Sequence, residues 1–397
     1  MSKLKSKTVF LCSSCGEDYS KWLGQCPNCR EWGTLSEFKV RSDRPKGSLQ
    51  GKKEIVALSH ILEKEVSPRM VIGLNEVDRV LGGGILPGSV ILLAGNPGIG
   101  KSTLALQILP RLKNNTLYFS AEESEDQVAL RAHRLNIRTD FLHLSSENKL
   151  EYILDQIMLV KPALVIIDSI QTIMSESLDS LPGSVSQVRE CGQKFLQLSK
   201  QENISILIIG HVTKDGSIAG PKMLEHMVDT VLYLEGDDRH DHRILRAVKN
   251  RFGTTNEVGI FQMNAAGLSE VKNPSEMFLS ERPENISGST VFPSLEGSRP
   301  ILVEVQALVS NANFGTPQRN VTGFDLRRLS MLLAVLEKRE NILMGMKDVF
   351  VNFVGGLKVD DPAADLAVIS AIASSVFDKV IPKNTVQIGE VGLGGEV

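Results

Sequence analysis

Residues 89–109 read SVILLAGNPGIGKSTLALQIL, and the fold turns on them. The apolar run Ser89–Ala94 predicts a buried strand. It leads into Gly95-Asn96-Pro97-Gly98-Ile99-Gly100-Lys101-Ser102-Thr103, which carries the pattern G-x-x-x-x-G-K-S/T. A helix with apolar Leu104, Leu106, Ile108 and Leu109 follows. In this strand–loop–helix context the glycines let backbone N–H groups wrap phosphates at a helix N-terminus. Residues 95–103 are therefore the predicted nucleotide cradle. Lys101 is expected on the β- and γ-phosphates of ATP, and the Ser102 hydroxyl on Mg²⁺.

Outward from that stretch, candidate strands at 116–120, 141–145, 163–169 and 204–211 alternate with helical patterns at 124–135, 149–160 and 184–201. Alternation of this kind predicts an α/β fold with a mostly parallel sheet and helices on both faces. Ligands then sit at the carboxyl ends of the strands. Asp168 ends one strand, as a Walker B aspartate does, and joins Ser102 as a candidate Mg²⁺ ligand. Glu122 and Glu123 follow strand 116–120. A carboxylate there could polarise an attacking water, although two adjacent acids also suit a solvated helix start. His211 ends strand 204–211 and is either a γ-phosphate sensor or a structural histidine.

At the N-terminus Cys12, Cys15, Cys26 and Cys29 are spaced C-x2-C, ten residues, C-x2-C. Two such knuckles give the four-sulfur tetrahedron that zinc favours. A redox pair would need only one C-x-x-C. Residues 1–38 are thus read as a four-cysteine zinc finger, too small to hold together without its metal. Residues 39–58, polar, basic and rich in breakers, are read as a linker, with a phosphate-contacting arm as the alternative. Cys191 falls in a helical pattern and is read as a core residue.

The chain has 397 residues, 42% hydrophobic composition and a net charge of −3, which predicts two or three globular domains and no global basic field. Charge is uneven, since residues 1–58 carry eleven Lys and Arg against six Asp and Glu. No apolar run reaches the ~20 residues of a membrane helix, and the first residues do not form a signal peptide, so a cytoplasmic location is expected.

Three stretches then point to one family: GLNEVDRVLGGGILPGSVILLAGNPGIGKST, GHVTKDGSIAGPKMLEHMVDTVLYLEGD and RAVKNRFGTTNEVGIFQM. Together with the leading four-cysteine finger, they resemble the bacterial RadA (Sms) family of DNA repair proteins. The resemblance implies a RecA-like ATPase domain over 59–275, assembled as a hexameric ring on single-stranded and branched DNA. It also implies ATP-driven branch migration in recombination, in partnership with a RecA-type recombinase and in response to DNA damage and stress. Within it Glu122 aligns with the catalytic glutamate. Residues 178–187 and 213–222 align with two DNA-facing loops, which makes Lys214 and Lys222 candidate phosphate contacts.

The signature KNRFG, residues 249–253, sets Lys249 and Arg251 on one face if it lies in a strand. The anion opposite them is a local carboxylate, DNA phosphate, or the γ-phosphate of ATP on a neighbouring subunit. The third is favoured by the resemblance, because a cation supplied in trans makes hydrolysis depend on assembly.

Residues 276–397 change character. GGLKVDDPAADLAVISAIASS resembles the proteolytic domain of Lon proteases, with Ala363 where that family has its serine nucleophile. Alanine cannot be a nucleophile, so a non-proteolytic α+β module is expected, with Asp361 as an N-cap before Pro362. The chain stops in what resembles the middle of that domain, so truncation is expected. Two competing functions remain from the sequence: a KaiC-like ATPase switch without DNA translocation, and an ATP-dependent protease, the latter disfavoured by Ala363.

Overall fold

The computed structural model describes residues 6–12, 17–41, 68–112, 114–211, 219–236, 241–279, 285–312, 315–355 and 357–397. It divides into two compact units. One holds residues 1–236 and 242–270, and the other holds 237–241 and 271–397.

The N-terminal segment is a three-stranded antiparallel ribbon of β1 (Ser6–Cys12), β2 (Asp18–Tyr19) and β3 (Leu35–Arg41), with β1 central. β3 runs three residues into the stretch read as linker. Residues 42–58, the rest of that linker, lie outside the described residues. Among the described residues the ribbon's core is Cys12, Cys26 and Leu35, with Phe10, Tyr19 and Cys29 packed against them.

The larger body contains, in chain order, α1 (Asn75–Leu81), β4 (Val90–Gly95), α2 (Lys101–Ile108), β5 (Thr116–Ser120), α3 (Glu125–Arg134), β6 (Leu142–Ser145), α4 (Leu150–Val160) and β7 (Leu164–Asp168). It continues with α5 (Val185–Glu202), β8 (Ser205–His211), α6 (Ala219–Met227), β9 (Thr230–Glu235), β10 (His242–Asn250), β11 (Val258–Asn264) and β12 (Gly267–Glu270). Nine strands form one sheet in the order β12-β11-β10-β9-β4-β8-β7-β5-β6. From β9 to β6 every neighbouring pair is parallel, while β9 to β12 form an antiparallel extension. This is an α/β, RecA-like P-loop ATPase core.

The strand period of two explains the layers. Ile91, Leu93, Tyr118, Leu164, Ile166, Leu207 and Ile209 point to one face and bury against α2 through Leu104, Ala105 and Ile108. Val90, Leu92, Leu117, Phe119, Val165, Ile167, Ile206 and Ile208 point to the other, against Ile153 and Ile157 of α4 and Val188 and Phe195 of α5. Buried on both faces, β4, β5 and β7 are continuous apolar runs rather than alternating ones. Cys191 is in this core, where burial pushes its thiol up to about 12.

The second unit carries a four-stranded mixed sheet in the order β13-β14-β16-β15. Its elements are α7 (Pro274–Leu279), β13 (Ser289–Glu296), β14 (Arg299–Asn311), β15 (Arg319–Thr322), α8 (Leu326–Arg339), β16 (Lys347–Phe353) and α9 (Asp365–Phe377). α9 packs on β13 and β14. Before α9, Asp361 accepts a hydrogen bond from the Ala363 N–H at 2.9 Å and starts a short 3-10 turn at Pro362.

No helix among the described residues is long and apolar enough to cross a membrane.

Candidate functional site

The carboxyl ends of the parallel strands collect the predicted site. His211 on β8 is level with Gly95 on β4, and Asp168 on β7 is level with Ser120 on β5. Residues 96–100 loop from β4 to α2. Gly95 and Gly98 have φ of 153° and 78°, and Gly100 caps α2 at φ 114°. A Cβ at Gly98 would meet no described atom within 4 Å, so the loop is open on that side. Lys101 is folded back into it, donating to the carbonyls of Gly95 and Asn96 at 2.9 Å each. From β10, Arg243 donates to the Ile99 carbonyl at 3.3 Å and braces the loop from below.

Burial lowers the Lys101 ammonium to about 8, although Asp168 and Glu122 pull it upward. The sign of the consequence is fixed. Bound polyphosphate favours the protonated lysine, so binding takes up a proton where the free site has lost one. Nucleotide affinity is therefore expected to fall by about tenfold per pH unit above that value. Calorimetry in buffers of different ionisation enthalpy reads the uptake directly, and Lys101→Met should abolish it.

The residues alone leave Glu122 and Glu123 open, the family resemblance favours Glu122, and the structure gives the two different partners. Both lie beyond β5, in a loop fixed by the capping box of α3, where Ser124 accepts from Gln127 N–H and the Gln127 side chain accepts from Ser124 N–H. Glu123 forms an ion pair with Arg131 of α3. Glu122, partly exposed, faces the ends of β7 and β8, where one oxygen accepts a hydrogen bond from the Ser169 hydroxyl and lies 3.1 Å from His211 Nε2. The His211 hydrogen bond, helped by Ser169, holds the Glu122 carboxyl below its ordinary value against the opposing effect of partial burial. The Glu122 carboxylate is thus held ionised beside Ser169 and His211, the state in which a carboxylate can accept a proton.

Asp168 is buried and accepts a hydrogen bond from the hydroxyl of Tyr118. Burial, then the adjacent Asp168 carboxylate, pushes the Tyr118 phenol well up, so the phenol stays a donor. Tyr118 thus occupies one Asp168 oxygen and fixes the direction of the other. Tyr118→Phe is expected to raise the Mg²⁺ concentration needed for half-maximal hydrolysis by roughly tenfold, the lower end of the worth of one hydrogen bond to a charged group. Thermal unfolding should move by only a few degrees.

Lys249 and Arg251 are placed elsewhere. Of residues 249–253 only Lys249 and Asn250 lie in a strand, after a bulge between Ala247 and Lys249, and Arg251 lies beyond it. The turn is tied by Asn250, whose side-chain oxygen accepts the Phe252 N–H at 3.1 Å. Lys249 donates to the Glu225 and His226 carbonyls, the negative end of the α6 dipole. Arg251 lies 3.4 Å from Asp229, a carboxylate only 1% exposed that also takes Lys200 at 2.8 Å and the Val90 N–H. Within this chain, then, the facing anions are a helix terminus and one buried aspartate. Burial, and then Arg251, lower the Lys249 ammonium.

In register, Asn250 pairs with Thr230, which is level with Ile91 at the start of β4. The nucleotide loop begins at the other end of that strand, about 13 Å farther along. Neither cation reaches its own cradle.

In the ribbon, the sulfurs of Cys12, Cys26 and Cys29 lie within 4.8 Å of one another, and Cys12 and Cys29 are 3.6 Å apart. That matches the edge of a tetrahedron with metal–sulfur bonds of about 2.3 Å. Cys15 lies outside the described residues, as does Lys214. Lys222 is on α6, with its side chain outside the description.

Residues 71–217 match a family described as AAA domain, and residues 10–37 match one described as Rubredoxin metal binding domain. The chain is 49% identical over 403 residues to DNA repair protein RadA of Halalkalibacterium halodurans, covering 99% of this chain and 88% of the relative. It is 50% identical over 407 residues to DNA repair protein RadA of Bacillus subtilis, covering 100% and 88%. The chain belongs to the RadA family of DNA repair proteins. Among solved structures, the RadB recombinase is similar with a TM-score of 0.41 and 21% identity, over 51% of this chain and 100% of that one.

Tyr118, Ser169, Asp229 and Arg243 were not picked out from the sequence. Only Tyr118 had a local signal, as a polar ring inside an otherwise apolar strand.

The ribbon has too small a core to stand alone, and a structural four-sulfur site contributes about 10 kcal/mol or more to folding. Cys26→Ser is therefore expected to abolish amide-exchange protection across residues 6–41. Protection of β4, β7 and β8 should stay unchanged.

Proposed function

We propose that this member of the family is a DNA-dependent ATPase that works as a hexameric ring and drives branch migration and processing of recombination intermediates. The supporting observation is the separation of Lys249 and Arg251 from their own nucleotide loop. Two cations at the wrong end of the sheet for their own ATP suit contact with ATP held by the next subunit. On this reading single-stranded and branched DNA pass residues 178–187 and 213–222, with Lys214 and Lys222 on phosphates, and a RecA-type recombinase is the protein partner.

In hydrolysis, Glu122 accepts the proton of the water that attacks the γ-phosphorus. Ser169 and His211 hold its carboxylate in place. Lys101 leaves the Gly95 and Asn96 carbonyls for the phosphate oxygens. Ser102 and Asp168 would hold Mg²⁺, which would supply charge neutralisation on the phosphates. Cys12, Cys15, Cys26 and Cys29 would hold zinc, which would supply folding free energy to the ribbon. The second unit is a Lon-like module without protease chemistry, because Ala363 has no nucleophilic atom.

The test is steady-state ATP hydrolysis with and without single-stranded DNA across a salt series. Stimulation that fades steeply as salt rises is expected, since phosphate contacts release counterions. Hydrolysis indifferent to both DNA and salt would favour a nucleotide switch instead.

A further inference from the structure

The chain has two tryptophans, and both are in the ribbon. Trp22 is 58% exposed and Trp32 is 75% exposed. Tryptophan is on average among the most buried side chains, so two open indoles in a module of this size need a reason. The ribbon core does not use them.

They are held in one place. The Trp22 indole N–H donates to the Leu35 carbonyl at 3.1 Å, which fixes that ring with its apolar surface outward. Segments 22–25 and 32–33 run side by side, through the Gln25–Trp32 bridge and the Gly33 N–H on the Gly24 carbonyl at 2.8 Å. Gly24 marks the floor between the rings. A Cβ there would lie 3.6 Å from Trp32 and 3.9 Å from Trp22. The two indoles therefore border one point on a backbone that the cysteine cluster anchors at Cys26 and Cys29.

The surroundings decide what such a platform takes. Lys21 precedes Trp22, Arg30 stands two residues before Trp32, and both cations are exposed. Gln25 and Asn28, also exposed, add amides. Leu23, at 37%, is the one partly open aliphatic side chain between the rings. A protein-docking patch would carry more apolar area around its aromatic anchors. Flat aromatic faces edged with cations suit unpaired bases, each of which offers a π-face, while the cations meet the phosphates between them. Over the ribbon, residues 6–41, five Lys and Arg stand against four Asp and Glu, so the cations that match are Lys21 and Arg30 themselves rather than a net basic field.

We propose that Trp22 and Trp32 form a stacking platform for bases of single-stranded nucleic acid, with Lys21 and Arg30 placed for the adjoining phosphates. The proposal rests on the reading of the chain as a DNA-dependent ATPase and adds a contact outside the ATPase body.

The placement of the tryptophans supplies the probe. All indole emission of the intact, metal-loaded chain comes from the ribbon, so titration with a thymidine oligonucleotide reads the platform alone. The label on the same oligonucleotide reads total binding by anisotropy. Saturable quenching that follows the anisotropy curve is expected. Trp32→Ala should weaken binding about tenfold and Trp32→Phe only slightly, with metal content and DNA-independent hydrolysis unchanged. Anisotropy that reports binding while emission stays constant, with Trp32→Ala binding like the parent, would overturn the platform and leave the DNA reading intact. No binding at low salt by either signal would overturn both. An emission change with a RecA-type recombinase but not with the oligonucleotide would assign the surface to a protein and overturn the proposal.

Discussion

Lys249→Ala and Arg251→Ala are each expected to leave ATP binding intact and to lower DNA-stimulated turnover by about 10³–10⁵, the range found when a cation supplied in trans is lost. The geometry makes the two halves of that result separable. Neither side chain reaches its own nucleotide loop, so the binding constant for a nucleotide analogue should not change. Nor should the fold fail. Removing Arg251 leaves Asp229 with Lys200 at 2.8 Å and with the Val90 N–H. The half-exposed Arg251 pair contributes at most about 1 kcal/mol. The decisive measurement mixes either variant with Lys101→Ala subunits. Each variant subunit keeps complete nucleotide machinery and can take its cations from a Lys101→Ala neighbour, so part of the turnover should return. Mixtures shown by mass measurement to be mixed rings, yet inactive at every ratio, would remove the trans role.

Glu122→Gln is expected to lower turnover by about 10²–10⁴ with nucleotide affinity unchanged, because the amide still accepts hydrogen bonds from Ser169 and His211 but cannot take a proton. Glu123→Gln is the matched control, since its carboxylate faces Arg131 and should leave turnover within about twofold. Single-turnover hydrolysis of both variants checks the pair. Equal losses would mean that the loop is sensitive as a unit, and Glu122 would lose its role as base.

The physical difference between those two glutamates marks the limit of what was legible. The nucleotide loop was readable because its chemistry is local, with glycines, lysine and serine within a single turn between a strand and a helix. The parallel sheet was readable because strands buried on both faces are apolar throughout, and the helices between them are periodic. The antiparallel strands β9 to β12 were not marked out, and the strand reading of KNRFG ran past Asn250. There Asn250 bonds the Phe252 N–H and turns the chain, a contact that competes with the strand ladder without changing its composition.

By itself, then, the sequence determined the class of fold and the family, and it marked 95–103 as the candidate nucleotide cradle and the N-terminal cysteines as candidate metal ligands. Each of these is encoded by residues near one another in the chain. The tertiary structure decided what each of the two adjacent acids pairs with, that Tyr118 holds Asp168, and that Asp229 gathers Lys200 and Arg251. It also decided that the KNRFG cations stand at the far end of the sheet from their own nucleotide loop. These depend on strand order, which brings together groups that chain spacing leaves unrelated, such as Tyr118 and Asp168, or Glu122 and His211. Local pattern fixes what each element is, and only the packing of elements fixes which side chains meet.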